Sequence, residues 1–512
     1  MTTYSRPGVF IQEVALPQAV NLANNSAAIG AFVGALPQGV TSAPVLVNTW
    51  SDFVNNFGGL NDSYPTTWAA YSFFANGGRQ LYVKRVVGSG AAAASLNITD
   101  GAETPATAFT LTAVSPGTWA NDYSVQVVPA GAEDRFGLNV YASVVQNGVA
   151  VTIPVETYTD LSMDSTDRHF VFSVINSYSK LLKINLSSVD SEVFPSTAAT
   201  TPTALSSGTA GSALVRTDYS TAWTTFDSIG NSLVLYAPDA AYAASDTLTS
   251  QIHGDTVSYA ASRADCFVVV DTAEGLNVEE AKDAVTAIAS VYTADTTGNI
   301  VAAYYPWVNI PDPTKVPGAT RAQAPGAAVV GQYLATDASR GPAKTPAGLN
   351  NKIALAVSTA HQFTNAELDE INTSNLPINA IRQVPGAGIV IMGGRTLDSN
   401  PNNRYVNIRR SLIYVEKQLQ DLTSFAVFEN NDSRLWSQIR TSIGSFLLNY
   451  WSNGGLRGSS PTQAYYVKCD STTTTFADIQ AGRVNIEVGV ALQYPAEFVV
   501  IKLGQLTGNA TA

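Results

Sequence analysis

Val484, Ile486, Val488, Val490 and Leu492 alternate with Asn485, Glu487, Gly489, Ala491 and Gln493 near the end of the chain. A period of two predicts a β-strand with one face buried. Tyr494-Pro495 interrupts it, because proline cannot donate a ladder hydrogen bond. Phe498, Val499, Val500 and Ile501 then form a short run that is apolar on both faces. The start of the chain mirrors this: Pro7-Gly8 opens a short strand, Val9 to Val14, which Pro17 closes. Extended apolar ends must pair within their own domain or be lent to another chain. The pattern therefore predicts an N-terminal arm over 1–22 and a C-terminal strand arm over 483–512.

Between the arms the chain reads as four units of different period. Residues 23–90 read as an α/β unit. A short apolar strand spans 28–33, a helix starting at Trp50 stops at Gly58-Gly59, and a helix around Trp68 stops at Asn76-Gly77-Gly78. A strand follows at Leu81–Val87. Residues 91–224 are rich in Ala, Ser and Thr. Short strand-like runs recur there, at Phe109–Thr112, Tyr123–Val128, Leu138–Tyr141 and His169–Phe172, which predicts a β-sandwich. Within this unit the small-residue stretch 191–211 reads as a mobile connection. Residues 225–395 alternate strands (Leu233–Tyr236, Cys266–Val270, Ile300–Tyr305) with helices. Asn277 and Glu280 form a capping box, and Val285, Ile288, Ala289 and Tyr292 share one face of the helix it opens. Such alternation implies right-handed crossovers and a largely parallel sheet. Residues 396–482 hold two longer helices. Ile408, Leu412, Val415, Leu419 and Leu422 stripe the first; Leu435, Ile439, Ile443, Phe446, Leu447 and Tyr450 stripe the second.

Composition sharpens this picture. Of 512 residues, 45% are hydrophobic and only 13% charged, against a usual quarter. Few surface charges leave little repulsion between copies, which favours assembly. The net charge of −12 argues against a broad nucleic-acid face. Cys266 and Cys469 lie far apart without metal or disulfide spacing, and read as buried thiols of a protein folded in a reducing cytoplasm. No apolar run reaches the roughly 18 residues of a membrane span. Residues 1–8 lack the apolar core of a signal peptide.

Catalytic patterns are missing from the sequence. His169, His253 and His361 have no metal-ligand spacing, and neither a G-x-S-x-G elbow nor a phosphate loop occurs. Asp160, Asp164 and Asp167 lack the glycine and closing Glu of a calcium loop, and read as a solvated turn. Basic residues are more informative. Arg404, Arg409, Arg410 and Lys417 lie off the stripe of the first long helix. Arg434 and Arg440 lie on the second, with Arg457 after it. They form either a solvated face with internal ion pairs, for example to Glu416 or Asp421, or a docking surface for an acidic partner.

Several runs, in order, resemble the contractile tail sheath proteins of bacteriophages and related injection machines. They include Pro7-Gly8-Val9-Phe10-Ile11-Gln12-Glu13, Trp50-Ser51-Asp52-Phe53 and Phe73–Arg79. Pro116–Asn121, Tyr304-Tyr305-Pro306-Trp307 and Gly393-Gly394-Arg395-Thr396-Leu397 come next. Phe428-Glu429-Asn430-Asn431-Asp432 and Pro495-Ala496-Glu497-Phe498 complete the set. The resemblance implies a multidomain α/β protein, α+β overall, with a subtilisin-like α/β middle domain at 225–395. It also implies a tube-facing C-terminal α+β domain at 396–482 and an inserted, outward-facing β-domain at 91–224. The implied role is structural, not enzymatic, with no cofactor. Subunits would polymerise in stacked hexameric rings around a tail tube, meet baseplate and terminator proteins, and contract to drive the tube through a host envelope. The implied location is the virion tail, after assembly in the host cytoplasm, with no direct nucleic-acid contact and no membrane insertion. Strand exchange between subunits would use Val9, Phe10, Ile11, Val484, Ile486, Val488, Phe498, Val500 and Ile501. Tube contact would use Arg434, Arg440, Arg457, Arg409 or Arg410. The competing readings are the sheath of a headless injector, a non-contractile shell or surface-layer protein, and a hydrolase using His253.

Overall fold

The computed structural model describes residues 28–132, 134–146, 149–292 and 297–497. Its centre is an eight-stranded sheet. In chain order the strands are β1 (Ile29–Ala35), β2 (Val45–Val47), β3 (Leu81–Val86), β4 (Leu233–Tyr236), β5 (Cys266–Asp271), β6 (Val301–Tyr305), β7 (Ile378–Val384) and β8 (Gly388–Ile391). The spatial order is β8-β7-β6-β5-β4-β1-β3-β2. The inner pairs are parallel, with registers such as Phe32↔Tyr236 and Val268↔Val301, and β2 and β8 close the two edges antiparallel. Parallel strands are covered on both faces, which is why β1, β4, β5 and β6 are apolar at successive positions rather than alternating.

Helices cover both faces. One face carries Arg216–Thr224, α1 (Asp246–Arg263) and α2 (Val278–Ala289), packed through Trp223, Ile252, Val257, Val285 and Ile288. The other carries Trp50–Phe57, Pro65–Ala75 and α3 (Gly326–Arg340), packed through Phe53, Trp68, Phe73, Val329 and Tyr333. The capping box is present: Glu280 N donates to Asn277 Oδ1 at 3.0 Å and Asn277 N to Glu280 Oε2 at 2.8 Å. Asp239, buried after β4, accepts from Ala35 N (2.6 Å), Thr66 (2.8 Å) and Tyr219 (3.1 Å), so one carboxylate joins β1 to helices on both faces.

The sheet thus unites strands from 23–90 with strands from 225–395. The β-rich unit is an insertion between β3 and β4. It pairs a four-stranded sheet with a three-stranded one around Phe109, Leu111, Phe136, Leu138 and Ile175. Three local expectations change here. His169–Phe172 is not a strand: Val171–Tyr178 is a helix, burying Val171 and Ile175 four residues apart. The 191–211 stretch is mostly exposed but anchored, with Leu205 buried, Thr203–Ala204 paired to Ser124–Val125, and Gly208 bonded to Asn121. Arg216–Thr224 belongs to the central sheet, where Trp223 Nε1 donates to Thr256 at 3.0 Å.

Past β8 the chain forms α4 (Val406–Thr423) and α5 (Ser433–Ser452), then a hairpin of β9 (Tyr465–Lys468) and β10 (Glu487–Val490). Leu435, Trp436, Ile439, Ile443 and Leu447 bury the inner stripe of α5, as the period predicts. In α4 the buried set includes Asn407, Arg410, Ser411 and Gln418 beside Ile408, Ile413 and Val415, while Leu412, Leu419 and Leu422 are only half-buried. This helix lies between the body and α5, so both of its sides are in contact, and an apolar stripe describes only one.

Candidate assembly interface

β9 and β10 form a two-stranded sheet separate from the central one. Its register, Tyr465↔Val490 and Val467↔Val488, places these four residues on one side with the α5 cluster. Tyr466 and Lys468 face outward opposite Gly489 and Glu487. A Cβ at Gly489 would sit 2.1 Å from the exposed Tyr466 ring, so a larger residue there would push that ring aside. The sheet has only these two strands, so among the described residues each keeps an outer edge with no neighbouring strand.

The residues expected to exchange between subunits divide accordingly. Val488 pairs with Val467 of the same chain, and Val484 and Ile486 pack beside it, half-buried. These three are therefore used first within their own domain. Val9, Phe10, Ile11, Phe498, Val500 and Ile501 lie outside the described residues.

The five arginines also separate. Arg410 does not face outward: it is buried, forms an ion pair with Asp337 and lies over the Tyr333 ring, 4.7 Å from its centroid. Arg409 is half-buried, 3.6 Å from Glu416, whose own burial raises its pKa. Arg440 donates to the Cys469 carbonyl and, at 2.9 Å, to Ser437. Arg434 and Arg457 are exposed. Asp432 caps α5 by accepting from Arg434 N at 2.9 Å and Leu435 N at 3.0 Å, which sets Arg434 at the outer start of that helix. Down the same outer side run Ser437, Gln438, Thr441, Ser445, Leu448 and Asn449, with no further charge.

Two features escaped the sequence reading. The α4–α5 turn presents Phe425, Val427 and Phe428 to solvent, Phe428 fully exposed and at φ +68°. The second is Glu497, whose Oε1 and Oε2 accept from Arg395 Nε (2.8 Å) and Nη2 (2.7 Å), with Tyr405 adding a third bond at 3.0 Å. The Tyr494-Pro495 break marked the place, and no local pattern pointed to the partner.

His253 is wholly buried in α1, and burial pushes its pKa down to about 4. It is sealed from any substrate, which removes it as a hydrolase base. Cys266 and Cys469 are buried free thiols. Asp160, Asp164 and Asp167 form a turn with Asp167 on Arg135 at 2.5 Å and Asp160 on His169 at 2.8 Å. Among the described residues no acid, histidine or cysteine group is arranged to hold a metal.

The domain that carries the hairpin has known relatives. Residues 398–503 match the family described as phage tail sheath C-terminal domain. Through this domain the chain is similar to the tail sheath family. A curated tail sheath protein of Vibrio phage KVP40 is 25% identical over 152 residues, 28% of this chain and 21% of the phage protein, so the match spans about a fifth of that relative. Solved sheath structures resemble the whole chain. The sheath complex of PVC, an extracellular contractile injection system, in its contracted state shares 22% identity at TM-score 0.57, covering 99% of both chains. The contracted helical sheath of the anti-feeding prophage shares 20% at TM-score 0.57, covering 98% of this chain and 100% of that one. The sheath tail protein Lin1278 of Listeria innocua shares 13% at TM-score 0.61, covering 91% and 95%. These likenesses establish a sheath fold from end to end, insertion included.

Proposed function

We propose that the chain is the subunit of a contractile sheath. Copies polymerise as stacked hexameric rings in a helical cylinder around a tube, and contraction drives the tube through a host envelope during genome delivery. The observation that carries this is the two-stranded hairpin, open at both edges among the described residues, inside the domain that matches the sheath family. Open edges are templates for added strands. The sequence carries two short apolar runs, Val9–Ile11 and Phe498–Ile501, that could supply strands to fill them. Main-chain hydrogen bonds would supply affinity and alternate side chains would set register. Head-to-tail contacts that do not close on themselves build a helix. Linked arms let bodies rotate without parting, so contraction needs only a second, better-packed arrangement of folded subunits behind a kinetic barrier.

Of the proposed tube contacts, exposure supports Arg434 and Arg457 over Arg409, Arg410 and Arg440. The tube protein, a baseplate and a terminator are the partners this reading requires. A second reading, the sheath of a headless injector, is supported by the full-length likeness to the PVC and anti-feeding prophage sheaths. Native particles carrying the sheath decide between them by the presence of a filled head.

The test of the main reading is deletion of residues 498–512. Electron micrographs should show hollow cylinders for the intact chain and dispersed, folded subunits for the truncated one. Cylinders of normal length from the truncated protein would refute strand exchange, and flat lattices from the intact chain would favour a surface layer.

A further inference from the structure

Residues 493–497 cross from the hairpin to the central-sheet body and are held at both ends of the crossing. At the hairpin end, Gln493 Nε2 donates to Leu456 O at 2.8 Å, and Asn407 of α4 donates to Gln493 O at 2.8 Å. In the middle, the Tyr494 ring packs edge-on against Tyr405, centroids 6.3 Å apart. At the body end, Arg395 takes both oxygens of Glu497 and Tyr405 takes one again, as described above. A fork of two parallel N–H···O bonds fixes the direction of a carboxylate as well as its position.

Arg395 is itself immobilised by the body. Asn379 of β7 accepts from Arg395 N at 2.8 Å and donates to Arg395 O at 2.8 Å, and its amide also reaches Ala303 O of β6 at 3.1 Å. Arg395 Nη1 donates to Asn372 O at 2.5 Å, at the end of the helix Asn365–Thr373. Asn379 is buried, and the Arg395 and Glu497 side chains are 11% and 22% exposed, so water competes weakly for these bonds. A continuous chain of short contacts thus runs from β6 and β7, near the β8 edge of the eight-stranded sheet, to the last described residue.

We propose that Arg395, Tyr405 and Asn379 are positioning residues that lock Glu497 and so fix the direction in which the C-terminal arm leaves the subunit. The inference rests on the strand-exchange reading above. The arm then leaves from the body and not from the hairpin, and any rotation of the central sheet is passed directly to the neighbour that holds residues 498–512.

The experiment compares four proteins: intact chain, Glu497→Gln, Arg395→Glu combined with Glu497→Arg, and the 498–512 deletion. Spin labels at Asp369→Cys on the body and Lys502→Cys in the arm report the arm's spread in the free subunit, the native cysteines being buried. Glu497→Gln should broaden the distance distribution and lower sedimentable cylinders about tenfold, as expected for losing a charge-assisted pair. The denaturation midpoint of the free subunit should barely move. The swapped pair should narrow the distribution and restore assembly. Unchanged distance widths with normal cylinders in Glu497→Gln, while the deletion still abolishes them, would overturn the lock and leave strand exchange standing. Normal cylinders from the deletion would overturn both. A loss of subunit stability matching the loss of assembly, unrepaired by the swap, would make the pair merely structural and overturn the proposal.

Discussion

Asp271 shows how far one side chain's chemistry is set by its neighbours. It ends β5, fully buried, accepting from Tyr236 at 2.6 Å and from Gly326 N at 2.9 Å at the start of α3. Burial outweighs both bonds and pushes its pKa to about 7, so the fold favours the neutral acid. An unfolded Asp titrates near about 3.9. The stabilising share is therefore complete below that value and is lost as pH rises through about 7. The stability difference between the native protein and Asp271→Asn should fall by about 4 kcal/mol from pH 4 to pH 8, read from urea midpoints. Arg410 makes the opposite case. Its pair with Asp337 is enclosed, so Arg410→Ala strands a buried carboxylate, and the expected loss is about 3–5 kcal/mol in the same titration. An outward, tube-binding Arg410 would cost almost nothing.

At the scale of elements, the insertion and the hairpin make different kinds of contact with the rest. The insertion has its own core, and its two connections run side by side: Gly88 N donates to Ala210 O at 3.0 Å, and Ser212 N to Ser89 O at 3.0 Å. Gly88 must be glycine, because a Cβ would lie 1.9 Å from Ser212 O. Arg85, buried without a carboxylate, bonds the carbonyls of Leu36, Pro37, Gly39 and, from the insertion, Pro116. Replacing residues 90–211 with a short Gly-Ser link should leave the eight-stranded sheet folded, with a cooperative thermal melt. Collapse of that melt would show that the Pro116 contact is indispensable. The hairpin, by contrast, shares its apolar side with α5 and could not be excised without exposing it.

For the whole molecule the separation of labour follows from these attachments. The sheet body is the common support, the insertion is a side branch, and among the described residues the α4–α5–hairpin domain carries the open edges. Arg434, exposed at the cap of α5 on a helix side otherwise free of charge, is the residue whose reversal should act only on assembly. Arg434→Glu should reduce co-sedimentation with an acidic tube by about tenfold and leave the melting temperature within about a degree. Reversal without effect on tube binding would move the contact to Arg457 or to the exposed turn at Phe425–Phe428.

Much of this was legible in the residues alone. Period two over 484–492, the capping box at Asn277 and the glycine stops at Gly58 and Gly77 identify elements, because each depends on neighbours a few positions away. The α/β class and the separate β-rich unit follow from how those periods succeed one another. Partnerships between distant segments were not legible. β1 pairs with β4 across the whole insertion, Arg216–Thr224 sides with the sheet, Arg410 turns inward and Glu497 finds Arg395. A strand that is apolar on both faces carries no record of its neighbour, and a charge on a helix does not say which side will be covered. Those choices were made by burial and pairing over the whole chain, where the free energy of contact is gained only once the segments meet.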